Sequence, residues 1–146
     1  MKIGIGADHG GYDLKEMLKE YLSEKGYEIK DFGTFSKESC DYPDFAHQVA
    51  HAVAKGELEK GILICTTGVG ISIAANKVPG IRAALCSDPL TASLCREHND
   101  ANILALGAHI IGPGLARNIA DIFLTTEFSK GERHVRRVGK IEQIDE

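Results

Sequence analysis

The sequence predicts an α/β fold: a doubly wound, Rossmann-like parallel sheet of five strands forming a single domain over residues 1–146. Three observations carry this. Short β-branched runs alternate with amphipathic stretches, and one run, Gly61-Ile62-Leu63-Ile64-Cys65, is apolar throughout, as strands covered on both faces tend to be. The length of 146 residues, 43% of them apolar, suits one core. Strands separated by helices call for right-handed crossovers, which make the sheet parallel.

The first strand is read at Lys2-Ile3-Gly4-Ile5-Gly6-Ala7, and a helix follows in which Leu14, Met17, Leu18, Tyr21 and Leu22 recur at helical spacing. Gly26 is a natural stop for it. Tyr27 to Phe32 reads as the second strand. Asp41-Tyr42-Pro43 opens a second helix with Phe45, Val49, Ala50 and Val53 on one face, and Gly56 closes it. After the third strand at Gly61 to Cys65, further strands are expected at Ile81 to Leu85 and Asn102 to Leu106. Helices are expected near Asp88 to Glu97 and Pro113 to Thr125. Gly33 to Ser39 is a polar loop of a kind that carries lids. The stretch Ser129 to Glu146 is rich in charge, with Val135, Val138, Ile141 and Ile144 spaced by three, which suits a helix docking on a partner such as a second subunit.

Composition excludes several classes of partner. Seventeen Lys and Arg against twenty-one Asp and Glu leave a net charge of -4, so no overall basic field exists to hold nucleic acid or anionic lipid. Any anionic ligand must be small and met locally. No apolar run approaches the roughly 18 residues that span a bilayer, and Met1-Lys2 leads straight into a strand pattern. A cytoplasmic location is therefore expected, with no membrane partner. The four cysteines, Cys40, Cys65, Cys86 and Cys95, form no Cys-x-x-Cys pair and read as reduced thiols. No Cys/His spacing matches a zinc motif, and His47 with His51 lacks a third ligand.

Ligands of open parallel sheets bind beyond the strand C-termini. That rule selects Asp8-His9, Cys65 to Gly70, Ser87-Asp88 and Gly107-Ala108-His109. The most informative segment is Cys65-Thr66-Thr67-Gly68-Val69-Gly70-Ile71-Ser72, a glycine-rich turn between a buried strand and the helical Ile73-Ala74-Ala75-Asn76-Lys77. Such a turn presents backbone N–H groups to an anion. It lacks both the Gly-Lys-Ser/Thr ending of a Walker loop and the full Gly-x-Gly-x-x-Gly of dinucleotide binders. Cys65, near the positive end of a helix, is either a base or nucleophile or a small buried hydrophobe. Asp8, before His9-Gly10-Gly11, is an acid at a strand tip, a helix cap, or both. His98, where the fourth helix gives way to the fifth strand, either faces the same strand-tip crevice or is a solvated helix-end ring. Arg133-His134-Val135-Arg136-Arg137 puts Arg133 and Arg137 on one helical face, which suits a phosphate monoester or a solvated basic turn.

Over nearly its whole length the chain resembles the type B ribose-5-phosphate isomerases, the sugar-phosphate isomerase family that also includes the galactose-6-phosphate isomerase subunits. The resemblance rests on Ala7 to Gly11, Asp41-Tyr42-Pro43, Cys65 to Ser72 running into Ala74-Ala75-Asn76-Lys77, Gly80-Ile81-Arg82-Ala83, His98 to Asn102, and Arg133-His134. It implies a cofactor-free, metal-free aldose–ketose isomerase of the pentose phosphate pathway, a homodimer or homotetramer whose active site is shared between subunits. It also implies roles. Cys65 carries a proton between C1 and C2, and Thr67 with the amides of Gly68, Val69 and Gly70 holds the enediolate oxygens. Asp8 and His98 open the sugar ring. Tyr42, His9, Ser72, Asn99, Arg133 and Arg137 contact the substrate and its phosphate. The chain departs from the pattern at His109, where many relatives carry Arg, so a phosphate contact there rests on an imidazole. Another branch of the family lacks the Cys; this chain keeps it. The sequence leaves open a six-carbon sugar phosphate as substrate, or a noncatalytic phosphometabolite-binding module.

Overall fold

The computed structural model describes residues 1–143. Five parallel strands form one sheet in the order β2-β1-β3-β5-β4. They are β1 (Lys2–Ala7), β2 (Glu28–Asp31), β3 (Lys60–Cys65), β4 (Ala83–Leu85) and β5 (Ile103–Gly107). The helices are α1 (Tyr12–Glu24), α2 (Tyr42–Ala54), α3 (Val69–Ala75), α4 (Pro89–Glu97), α5 (Pro113–Thr125) and α6 (Glu132–Glu142). The strand order switches direction between β1 and β3, where doubly wound sheets open a crevice.

Alternation along the strands sorts the core into two layers. Ile3, Ile5, Ile62, Ile64, Leu104 and Leu106 pack under α1, α4 and α5 with Leu18, Leu22, Ile119 and Phe123. Leu63, Cys65, Ile103 and Ala105 face the other way, against Val49, Val53, Ile71 and Ala75 of α2 and α3. The central strands are thus apolar on both faces because both faces are covered.

The expected elements all form, with shifted ends. β4 is shorter than Ile81 to Leu85, because the Ile81 N–H bonds back to Val78 O and the Arg82 N–H to Asn102 Oδ1. α3 starts at Val69, four residues before the expected helical run, and Asp88 caps α4 from outside by accepting from the Thr91 N–H at 2.7 Å. A single 3-10 turn, His9–Gly11, precedes α1.

α6 belongs to neither layer. It buries only His134, and Val135 and Ile141 are half exposed, so its apolar stripe faces outward. Ile144, the last member of that stripe, lies outside the described residues. No helix among the described residues is long and apolar enough to cross a membrane.

Candidate active site

At the C-terminal edge of the sheet, the tips of β1, β3 and β5 are drawn together by backbone hydrogen bonds. Asp8 N–H donates to Ile64 O at 3.2 Å, Ala108 N–H to Cys65 O at 2.9 Å, and His109 N–H to Thr66 O at 3.0 Å. Every candidate from these three tips is therefore a neighbour of Cys65 in space.

Cys65 ends β3 and is 5% exposed. The chain then reverses through Gly68, whose φ of +80° lies in the left-handed region that only glycine adopts freely. A Cβ there would also come within 3.0 Å of the Leu106 carbonyl oxygen. This turn aims the Gly68 N–H at Cys65 Sγ, 3.2 Å away, and the Val69 N–H at Thr67 Oγ1, also 3.2 Å away. The left-handed residue followed by the right-handed first turn of α3 has the backbone pattern of an anion nest, its Gly68 and Val69 amides engaged by Cys65 Sγ and Thr67 Oγ1. Tyr42, at the start of α2, lays its ring over Gly70, where a Cβ would sit 2.6 Å from its Cζ. Ser72 is buried and its hydroxyl donates to Val69 O at 2.8 Å, so toward a ligand it offers lone pairs only.

Asp8 is both things the sequence allowed. Its Oδ1 caps the 3-10 turn by accepting from the N–H groups of Gly10 at 2.9 Å and Gly11 at 3.2 Å, and the cap engages that oxygen alone. His9 is exposed, and its Nδ1 accepts from the Cys40 N–H at 3.2 Å. The neutral ring consequently carries its proton on Nε2, which is left to donate outward. His109 is exposed and lines, with Gly10, Met17 and Pro113, a cavity of about 260 Å³. A second cavity of about 350 Å³ is walled by Thr67, Val69, Leu85, Gly107 and Ile110.

His98 and Asn99 are elsewhere. The turn from α4 into β5 ends where β5 begins, at the N-terminal edge of a parallel sheet, and Cys65 is at the C-terminal edge beside Gly107. Five steps along β3 separate the two edges by roughly 17 Å. The expectation that His98 faces the same strand-tip crevice as Cys65 within the chain is therefore wrong, because strand direction decides the edge. The His98 ring stacks on that of His134, with centroids 4.3 Å apart and planes 9° apart. Arg133 and Arg137 are exposed on the same helix, α6, so the cationic set gathers at this opposite edge. Burial, then the charges of His98, Arg133 and Arg137, holds His134 below the usual imidazole range. The largest of the three cavities, about 500 Å³, also lies at this edge, lined in part by Arg82, Asn99 and Ile141.

All four cysteines are free thiols, with Cys86 and Cys95 buried and their sulfurs 3.9 Å apart. Among the described residues no group of three His, Cys, Asp or Glu is placed to hold a metal. One contact escaped the sequence reading: the Cys40 amide that orients His9 carries no side-chain signature. His134 stood out in its charge run, but its stack on His98 did not.

A family model described as Ribose/Galactose Isomerase matches residues 3–141. Ribose-5-phosphate isomerase B of Escherichia coli is 52% identical over 145 residues, covering 99% of this chain and 97% of that protein. D-erythrulose-4-phosphate isomerase of Pectobacterium atrosepticum is 45% identical, over 90% of this chain and 87% of that one. The solved structure of Clostridium thermocellum ribose-5-phosphate isomerase B superposes with a TM-score of 0.96 at 60% identity, over 97% of this chain and 95% of the other. Model match, identity and superposition agree along nearly the full length, and the chain belongs to the ribose/galactose isomerase family of enzymes.

Proposed function

We propose that the protein interconverts D-ribose 5-phosphate and D-ribulose 5-phosphate through a cis-enediolate, with Cys65 as the base. The observation that carries this is the pairing of Cys65 Sγ with the Gly68 N–H at 3.2 Å, on the same turn whose amides form an anion nest. A thiolate there takes the C2 proton of the open-chain aldose. The negative charge that develops on the oxygens meets Thr67 and the amides of Gly68 to Gly70, with the Gly68 and Val69 N–H groups shared from Cys65 Sγ and Thr67 Oγ1. The thiol then returns the proton to C1, and proton transfer between the two oxygens leaves the carbonyl at C2.

Ring opening needs one proton removed from the anomeric hydroxyl and one delivered to the ring oxygen. Asp8, whose Oδ2 stands outside the cap, and His98 take these parts. His98, Asn99, Arg133 and Arg137 reach a Cys65 site only from a second copy of the chain, since within one copy they occupy the other edge. A homodimer, or a homotetramer built from dimers, follows from this reading. Exposed apolar side chains around the Cys65 edge, among them Val69, Ile73, Leu85 and Ile110, support it as a surface that wants cover. Arg133 and Arg137 bind the phosphate as paired guanidinium groups, and His9 donates to it from Nε2.

A second reading changes only substrate length. It is favoured by the relative named for a four-carbon substrate, D-erythrulose 4-phosphate, which shares the same fold family. The deciding experiment is ketose formation by chelator-treated protein from ribose 5-phosphate, with erythrulose 4-phosphate and galactose 6-phosphate in parallel, alongside Cys65→Ala. Conversion of ribose 5-phosphate lost only in the variant is expected. Preference for another sugar phosphate would keep the mechanism and replace the substrate; saturable phosphometabolite binding with no conversion would replace the enzyme by a binding module.

A further inference from the structure

Lys15 has no part in this chemistry, yet its side chain is completely buried. A buried ammonium is costly unless it is paired. Its Nζ donates to Asp31 Oδ2 at 2.7 Å, stands 3.5 Å from Glu16, and lies over the rings of Phe35 and Tyr12 at 5.2 and 5.5 Å. The other oxygen of Asp31 accepts the Gly33 N–H at 2.8 Å. Gly33 and Thr34 are in turn tied to Ala7: the Ala7 N–H donates to Gly33 O at 2.7 Å and the Thr34 N–H to Ala7 O at 2.6 Å. Ala7 directly precedes Asp8 and His9. At the far end of the same loop the Cys40 N–H holds His9 Nδ1, and Tyr42 follows two residues later with its ring over Gly70. The start of the loop is thus pinned by a buried ion pair and its end by the imidazole it orients.

We propose that Lys15, acting through Asp31, is a positioning residue that sets the 33–41 loop and so aims His9 and Tyr42 at the substrate. The inference rests on the substrate roles given to His9 and Tyr42 above. Lys15 touches no reacting atom. Cys65 and its amide turn are built on β3 and α3, away from this ion pair, so binding should suffer more than the proton transfer.

Two variants test it, Lys15→Met, which keeps the stem and removes the charge, and Asp31→Asn, which keeps the shape and breaks the pairs with both Lys15 and Lys19. In each, KM is expected to rise about tenfold, the worth of about one charged hydrogen bond, with kcat within about twofold. A second readout needs no turnover. Histidine 15N shifts in the wild type should report a His9 tautomer protonated at Nε2, and in the variants should move toward tautomer averaging as the Cys40 amide exchanges faster. Asp31→Asn carries the test alone if Lys15→Met does not fold. Unaltered KM with unaltered His9 shifts and Cys40 exchange, whatever the loss of stability, would overturn the proposal. If the wild type isomerises no sugar phosphate, the functional reading fails separately, and the 15N and exchange data still decide whether Lys15 positions His9.

Discussion

The two edges of the sheet carry the candidate side chains in opposite ways. At the C-terminal edge, Cys65, Asp8 and Gly68 are buried and held by hydrogen bonds within the chain, with Thr67 and Val69 of the same turn exposed. At the N-terminal edge, Arg133, Arg137 and Asn99 stand exposed, and only their backing is built in. One edge is finished within the chain, and the other displays its polar side chains to solvent. The difference teaches that a parallel sheet separates its two edges by the length of a strand, so residues on opposite edges serve one reaction only by coming from different copies.

Removing the proposed base at the finished edge should have the largest effect. Cys65→Ala is expected to lower kcat by about 10³-fold, within the range of a positioned general base, while cooperative urea unfolding persists. Turnover near wild type would mean that the thiol only fills space. The comparison itself is sharpened by mixing. Cys65→Ala and His98→Ala should each be nearly inactive alone, but in the proposed dimer random reassociation of equal amounts makes half the dimers mixed, with one intact site each. Recovery of about a quarter of wild-type activity is expected, from dimer symmetry alone. No recovery after verified exchange of subunits would place His98 and Cys65 in the same chain's site, against the strand geometry.

The backing of the N-terminal edge comes next in size. Arg96, with a side chain 7% exposed, donates from Nη1 to Asp100 Oδ1 at 2.8 Å and Ala101 O at 2.7 Å, and from Nε to Thr126 O at 3.0 Å. Arg82 Nε adds a bond to Asp100 O at 3.0 Å. These hold Asp100 in the left-handed region, at a φ of +49°, and so fix the turn that displays His98 and Asn99. Arg96→Met strands the carbonyls of Ala101 and Thr126 and leaves Asp100 to Arg82 alone, and should cost about 3 kcal/mol, read from urea denaturation. A loss under about 1 kcal/mol would show that the turn holds itself.

The finished edge was the legible one. Its residues are contiguous in sequence and sit at strand ends, so Cys65 to Gly70 and Asp8-His9 could be picked by the strand-tip rule before any resemblance was considered. Helical spacing likewise placed α1 and α2, because each turns one apolar face to the sheet. What failed was the edge assigned to His98: a helix-to-strand turn and a strand-to-helix turn look alike in sequence, and only strand direction separates them. The end of α6 was open for a different reason. Val135 and Ile141 have the period of a buried face, yet the described residues leave them half exposed. Lys15 reads as one more surface lysine of an amphipathic helix, since its burial is made by Asp31 and Phe35 from beyond the helix.

The smallest effect expected is a pH dependence confined to the N-terminal edge. Burial and neighbouring positive charge hold the folded His134 below the usual imidazole range, and in the unfolded chain it titrates near 6.5. The contribution is therefore complete above about pH 6.5. As pH falls below that value the unfolded chain takes up a proton that the folded one resists, and stability declines until the folded pKa is passed. The wild type should show a lower urea midpoint at pH 5.5 than at pH 7.5. His134→Phe, which keeps an aromatic ring against His98 but cannot titrate, should narrow that difference, because contributions from the histidines away from this stack cancel between the two proteins. An equal difference in both would mean that protonation of His134 is no more costly in the fold than out of it. The His98 stack would then be a packing contact indifferent to charge, and the cationic edge would hold its shape without help from a neutral His134.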